Sequence, residues 1–218
     1  MHMKSMMREF SILAFVVLLS VCSYYYLDKQ IALFVNNALL SDERLCFLSS
    51  DIPDVLFSAV CLITVAAWIA YFYLTKRGVY NIHTRFFFIV ACTMPITYLL
   101  KFVLKHAVGR IDTRFWLIHP SLKEFHWLHG GGHFTSFPSG HMAVSAALAV
   151  ALWDYYPQYR LAYIVFLIVE ALALLMTDYH FLSDIMAGTY LGIVAYLGTL
   201  YVIKKSGKMR ERNGKRFE

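Results

Sequence analysis

Two short stretches of the sequence carry residues that could act together on a phosphate group. The first is Pro138-Ser139-Gly140-His141, which ends a polar loop and opens an apolar run. The second contains His180 and Asp184, which lie four residues apart between two further apolar runs. Two imidazoles, a hydroxyl, a glycine amide and a carboxylate thus stand at the ends of hydrophobic segments. This placement indicates chemistry on a charged group at a membrane surface.

Each of these residue types supplies something that phosphate chemistry needs. A turn through Ser139 and Gly140 at a helix start offers backbone N–H groups and the positive helix end to an anion. His141, on the first turn of that helix, reaches the same anion. A carboxylate at Asp184 that holds one imidazole nitrogen fixes the tautomer of His180 and leaves the other nitrogen to attack.

Basic residues follow the third apolar run. Lys105 and Arg110 lie just beyond its end, on the side where we place the histidines. A lysine near the end of a span commonly extends its ammonium group to the interface without binding a ligand. The position of Lys105 relative to Arg110 and Ser139 favours a role in phosphate binding. Arg114, taken alone, is typical of a surface charge.

The composition is that of an integral membrane protein. Of 218 residues, 59% are hydrophobic and 16% are charged, which is more apolar than a soluble domain of this length. We predict one domain over residues 1–218, with a bilayer and not a nucleic acid as its surroundings. Cys22, Cys46, Cys61 and Cys92 show no paired or metal-ligand spacing, so we predict no disulfide framework.

Six apolar stretches approach the roughly twenty residues that cross a bilayer as a helix. The sequence therefore predicts an all-α, polytopic fold, a bundle of six transmembrane helices with interfacial helices in the outward loops. One such interfacial helix is expected at residues 30–35. The loop 105–138 is expected to lie flat on the membrane and cover part of the site. The predicted spans are residues 10–27, 55–74, 86–104, 140–154, 161–177 and 185–203.

The distribution of basic residues predicts the orientation. With six spans both termini share one side, and thirteen of the twenty Lys and Arg residues fall on that side, seven of them in the tail 204–218. The positive-inside rule places this side in the cytoplasm. The residues that could do chemistry, all between 105 and 184, then face the exterior or periplasm.

At the residues singled out above, the sequence resembles the type 2 phosphatidic acid phosphatase family, whose fold also occurs in vanadium haloperoxidases. The second signature block of that family is Pro-Ser-Gly-His, intact here at residues 138–141. The third ends in His, three residues and Asp, as at His180 and Asp184. The resemblance covers about residues 86–200 and implies a bacterial member in the cytoplasmic (inner) membrane.

The first block of the family departs from its pattern in this chain. The block is Lys, six residues, then Arg-Pro, and counting from Lys105 the last two positions hold Asp112 and Thr113. Arg110 lies two residues early, where many relatives carry an additional Arg. We predict Arg110 as the phosphate ligand and hold Arg114 in reserve.

The third block also departs, because its opening Ser-Arg is replaced by Ala173 and Leu174. One phosphate-binding arginine is therefore missing unless Arg114 supplies it from the loop.

The resemblance implies a two-step mechanism without a metal or other cofactor. His180 attacks phosphorus and forms a phosphohistidine, and Asp184 orients the ring. His141 protonates the departing lipid oxygen and then serves as base for water. The groups that would hold the phosphate oxygens are Lys105, Arg110, Ser139 and the amide of Gly140.

The function implied is a membrane lipid phosphatase acting at the outer face on phosphatidylglycerol phosphate, phosphatidate, undecaprenyl diphosphate or lipid A. Two alternatives remain open: a lipid-to-lipid phosphotransferase, and a non-catalytic relative that binds phosphorylated lipid. His126, His129 and His133 could suggest zinc, but Gly130-Gly131-Gly132 would break a helix there. We therefore predict a flexible lid and no metal site.

Overall fold

A computed structural model describes residues 2–38 and 52–206, and helices joined by loops make up the fold of these residues. Their β-structure is limited to one isolated bridge between Arg110 and Phe125. The predicted all-α class is confirmed. The helices are α1 (His2–Tyr26), α2 (Asp28–Ala38), α3 (Ile52–Lys76), α4 (Ile82–Val108), α5 (Thr113–Ile118), α6 (Gly140–Tyr155), α7 (Arg160–Met176, preceded by a 3₁₀ turn, Pro157–Tyr159) and α8 (Leu182–Lys205).

A helix covers each of the six apolar stretches. Within the part of the chain that the structure describes, three helical segments are long and apolar enough to cross a membrane: Ile82–Val108, Pro157–Met176 and Leu182–Lys205. The helices α1 and α3 contain the shorter apolar segments Ala14–Tyr26 and Cys61–Lys76, and α6 has 16 residues. The structure thus supports a membrane protein, while the count of six spans stays a prediction.

Helix α4 ends where it can present Lys105 to the site. The Asn81 side chain caps its start by accepting a hydrogen bond from the backbone N–H of Thr84 at 3.0 Å. Its end is capped by Gly109, whose φ of 58° is the left-handed conformation that glycine adopts without strain. A Cβ at Gly109 would also collide with the carbonyl group of His126. Gly109 therefore ends α4 and lets the following loop pack closely against the end of this helix.

Helices α6 and α8 approach each other closely because small residues line their contact. A Cβ on Gly188 would collide with the carbonyl oxygen of Ser139, and one on Gly192 with that of Ala143. Most residues of α6 are buried, which agrees with its run of alanines. Small residues at such a spacing allow helix backbones to touch in a membrane. This contact holds the start of α6, which carries His141, beside the start of α8, which carries Asp184.

Helix α2 packs against the loop that follows α4. Its residue Ala32 joins a buried cluster with Ile111, Trp116 and Phe181, whereas Phe34 on the other face is 70% exposed. The interfacial helix expected at residues 30–35 is thus helical in the structure, as part of a longer element. Packing of α2 brings Asp28, at its first residue, into the interior near the start of α8.

Candidate active site

A cavity of about 420 Å³ opens where the carboxyl-terminal end of α4 and the amino-terminal ends of α6 and α8 meet the loop after α4. The cavity brings together four of the predicted site residues, His141, His180, Lys105 and Arg114, and adds His133 and the carboxylate of Asp112. Its lining comprises Lys105, Asp112, Arg114, Phe115, Ile118, His133, Thr135, His141, Tyr179 and His180. Positive and imidazole groups thus surround a volume large enough for a phosphate headgroup.

The imidazoles of His141 and His180 face the same cavity. Their ring centroids are 5.9 Å apart, with an angle of 59° between the ring planes. His180 is buried, at 4% exposure, and within the described residues its Nε2 has no hydrogen-bond partner. Its Nδ1 lies 3.7 Å from Oδ2 of Asp184. Since Nδ1 points back into the protein, Nε2 is the nitrogen that a ligand in the cavity would meet.

Ser136, which the sequence did not point to, fixes the tautomer of His180. Its hydroxyl donates to Oδ2 of Asp184 at 2.5 Å, and its oxygen lies 3.3 Å from Nδ1 of His180. A hydroxyl has one proton to donate, and Asp184 takes it. Ser136 must therefore accept from Nδ1–H, which leaves a lone pair on Nε2. This arrangement is that of an imidazole prepared for nucleophilic attack.

Arg110 occupies a different place from the one predicted. Its guanidinium is 1% exposed and does not line the cavity. Nη1 donates to Oδ1 of Asp184 at 2.5 Å and to Oγ of Ser183 at 2.6 Å. Nη2 donates to Oδ2 of Asp28 at 2.8 Å. This placement does not fit a direct phosphate ligand, because both terminal nitrogens are engaged with buried protein groups behind Asp184.

Asp28 is the second residue that the sequence did not point to. It is 1% exposed, and its Oδ1 accepts from the hydroxyl of Ser23 and from the backbone N–H of Ser183, both at 2.9 Å. With Asp184 it flanks Arg110, so that one buried cation serves two buried carboxylates. Burying such a group without charged partners would be costly. No local motif marks Asp28; only the start of a helix after an apolar run distinguishes it.

Ser139 and Gly140 serve the geometry of α6 more than the cavity wall. Ser139 is fully buried, and its hydroxyl accepts from the backbone N–H of Met142 at 3.4 Å, as an N-cap does. Its own backbone N–H donates to the carbonyl of Asp184 at 3.0 Å. Neither residue is among those that line the cavity. The predicted Ser139 hydroxyl ligand is thus a helix cap that joins the two motifs.

Arg114 reaches the cavity from the loop. Its Nε and Nη2 donate to the carbonyl of Thr177 at 3.0 and 2.8 Å, and its guanidinium lies 5.2 Å from the ring centre of Tyr179. These hydrogen bonds leave Nη1 for a ligand. Leu174, where the resembled family carries an arginine, is 1% exposed and packs with Met142. Arg114 therefore stands next to the segment in which that arginine is missing.

Two histidines of the loop that follows α4, His126 and His133, are stacked on aromatic rings. His126 lies 4.0 Å from Phe134 and His133 lies 4.1 Å from Phe115, measured between ring centroids. Among residues 2–38 and 52–206, no group of three or more His, Cys, Asp or Glu side chains could hold a metal ion. Packing accounts for His126, whereas His133 also lines the cavity.

Burial of His180 predicts how activity depends on pH. Burial lowers the pKa of His180 below its ordinary value of 6.5, and the neighbouring Asp184 carboxylate only partly opposes this effect. A lowered pKa keeps the ring neutral, and hence nucleophilic, at pH values where an ordinary histidine is protonated. We expect the acid limb of the kcat/KM profile to lie below pH 6.5.

The acid limb should stay at the same pH for two substrates whose phosphate groups have different pKa values. A limb that follows the substrate would show that His180 is not the group being titrated.

The structure defines a class of helical protein that carries a His–Asp pair and a second histidine at the ends of apolar helices. Residues 85–208 match the model of the PAP2 superfamily. The chain belongs to this superfamily, and the predicted family is confirmed.

Two curated relatives are similar over part of their length. Lipid A 1-phosphatase of Rhizobium johnstonii is 31% identical over 115 residues, which are 53% of this chain and 47% of the relative. Lipid A 1-phosphatase of Rhizobium etli is 31% identical over 115 residues, 53% of this chain and 49% of the relative. The chain thus spans about half the length of the curated relatives that it matches.

A solved structure shares the fold. The crystal structure of the first transmembrane PAP2 type phosphatidylglycerolphosphate phosphatase from Bacillus subtilis superposes with a TM-score of 0.61 at 18% identity. The match covers 94% of this chain and 98% of that one. At this identity the likeness concerns the fold.

Proposed function

We propose that the protein is a membrane lipid phosphatase that cleaves a lipid phosphate through a phosphohistidine on His180. One observation carries this proposal: His180 holds its Nδ1 against Ser136 and Asp184 and presents an unpaired Nε2 to a cationic cavity. The family supports it, as does the similarity to the two lipid A 1-phosphatases of Rhizobium. The proposal includes six spans in the bacterial inner membrane, cytoplasmic termini and an outward-facing site.

The chemistry proceeds in two steps. Nε2 of His180 attacks phosphorus, and the bond between phosphorus and the lipid oxygen breaks as His141 donates a proton to that oxygen. Water then attacks the phosphohistidine, His141 takes its proton, and inorganic phosphate leaves. Asp184 and Ser136 stabilise the imidazolium that forms in the first step. This sequence of steps needs no metal ion.

Lys105 and Arg114 are the cations that hold the phosphate oxygens in this proposal. Both line the cavity, and the described residues give Lys105 neither a hydrogen bond nor a salt bridge. Their charge offsets the charge on the phosphoryl oxygens in the transition state. Arg110 acts indirectly in this proposal, because it fixes the position of Asp184. Ser139 and Gly140 also act indirectly, because they start the helix that carries His141.

Two alternatives give different products. A phosphotransferase would use a lipid hydroxyl in place of water in the second step, so that phosphorylated acceptor would replace free phosphate. A non-catalytic relative would bind phosphorylated lipid without turnover. The best support for the non-catalytic alternative is Leu174, which stands where the family carries an arginine. The position of Arg114 in the cavity weakens that alternative.

A panel of lipid phosphates tests the proposal. We expect the purified protein in detergent micelles to release phosphate from at least one of phosphatidate, phosphatidylglycerol phosphate, undecaprenyl diphosphate and lipid A. The rate should be unchanged by a chelator such as EDTA, since the histidines supply nucleophile and acid. Activity that is lost on chelation and restored by a divalent metal would contradict the mechanism, and absence of turnover on every lipid would contradict the function.

A further inference from the structure

Asp112 places a carboxylate in a cavity otherwise suited to anions. It lines the cavity together with Lys105, Arg114 and the two histidines, at the position where the resembled family has an arginine. A negative charge beside a bound phosphate opposes binding, because like charges at a few ångströms repel. Such a residue is costly for phosphate binding unless its carboxylate interacts with another part of the substrate.

Hydrogen bonds to other residues of the same loop fix the position of Asp112. Its N–H donates to the carbonyl of His133 at 2.8 Å, and its side chain accepts a hydrogen bond from the backbone of Thr135. The residue precedes α5, but its carboxylate makes no capping hydrogen bond to that helix. Helix capping therefore does not explain why an aspartate stands here.

An ion pair within the protein does not explain it either. The salt bridges among the described residues involve Asp28, Glu124 and Asp184, and none involves Asp112. Lys105 and His133 are close enough to favour its charged form, while burial raises the pKa of the Asp112 carboxyl to about 6. At neutral pH the group is therefore mostly ionised, and the residue that carries it lines the cavity.

We infer that Asp112 is a specificity-determining residue that accepts a hydrogen bond from a hydroxyl or amide group of the headgroup, next to the phosphate that is cleaved. This inference rests on the proposed function and names its substrate class: lipid phosphates whose headgroup is a polyol or an amino sugar. Phosphatidate has no donor beside its phosphate, so for that lipid the carboxylate contributes only repulsion.

The expected size of the effect follows from the chemistry of hydrogen bonds to charged groups. Such bonds contribute about 1.5–3 kcal/mol, which corresponds to roughly a 10- to 150-fold change in kcat/KM. Asp112→Asn keeps the shape of the side chain and removes the charge. We expect this variant to lose at least about tenfold in kcat/KM on phosphatidylglycerol phosphate or lipid A, while its activity on phosphatidate rises because the repulsion is removed.

Glu124→Gln is the matched control. Glu124 is another carboxylate of the same loop, paired with Lys29 at 2.5 Å and absent from the cavity wall. We expect it to leave the preference between the lipids unchanged. An equal loss by Asp112→Asn on all lipids would overturn the inference, because it would show that Asp112 acts only through Lys105 or the fold. A wild-type preference for phosphatidate would overturn it as well.

Binding separates this inference from the proposed function. In a His180→Ala background, which removes the proposed nucleophile, lipid affinities can be measured for the protein with and without Asp112→Asn. We expect Asp112→Asn to weaken binding of the donor-bearing lipids and not of phosphatidate, even if the protein turned over none of them. Equal affinities for the two lipid classes in both variants would contradict the role of Asp112 without contradicting the phosphatase.

Discussion

Replacing His180 by alanine is expected to lower phosphate release from a lipid phosphate by roughly ten-thousand-fold or more, because a nucleophile has no substitute in the cavity. Nε2 of His180 is the nitrogen that a ligand in the cavity would meet, and the proposed mechanism gives His141 a different task, that of proton donor. Phosphate release by the purified variant, compared with wild type over the lipid panel, measures the loss. Unfolding of both proteins by heat should confirm that the variant still folds.

The covalent intermediate gives the same prediction a second readout. His141→Ala should slow the hydrolysis step, so that an acid-labile phosphoryl group accumulates on the protein when the substrate has a good leaving group. The double variant His141→Ala, His180→Ala should carry none. Substantial turnover by His180→Ala, or a phosphoryl group that persists in the double variant, would exclude His180 as the nucleophile.

Replacing Arg110 by methionine should destabilise the protein more than any other substitution near the cavity. The change would leave Asp28 and Asp184 buried without the cation between them. Breaking a buried charge pair by removing one partner costs about 3–5 kcal/mol. Thermal and denaturant unfolding in detergent should show this loss, together with loss of activity, since Asp184 would no longer be held against His180.

Arg114→Met is the matched control for this prediction. Arg114 lines the cavity and makes its hydrogen bonds to a backbone carbonyl, so its removal should weaken catalysis and leave stability nearly unchanged. Asp28→Asn, far from the phosphate, should lower kcat with little effect on KM. If Arg110→Met behaved like Arg114→Met, with normal stability and a raised KM, Arg110 would be the phosphate ligand that the sequence predicts.

The sequence predicted which residue types belong to the candidate site, but it did not predict which way their side chains point. The spacing of His180 and Asp184 and the intact Pro-Ser-Gly-His block pointed to two histidines, His141 and His180, that the fold brings to one cavity. Ser139 and Arg110 were predicted as ligands because a motif records which residue is present and not which way its side chain turns. In the structure the needs of a helix start and of two buried carboxylates determine those directions.

The roles of residues outside the motifs could not be predicted from sequence patterns. Asp28 and Arg110 are 82 residues apart and meet only because α2 packs against the start of α8. Ser136 lies beside the second motif, yet nothing local distinguishes it from the other hydroxyl residues of the loop. Hydrophobic length, by contrast, is a local property, which is why the apolar stretches all coincide with helices.

The ion pair between Asp28 and Arg110 also determines what part of the chain can work alone. The superfamily match begins at residue 85, so a fragment or chimera cut at that boundary would keep every signature residue and lose Asp28. It would bury Arg110 with a single counter-charge and leave Ser183 without its acceptor. Residues 85–208 therefore do not hold Asp184 in place on their own: a fragment or chimera also needs the helix that carries Asp28.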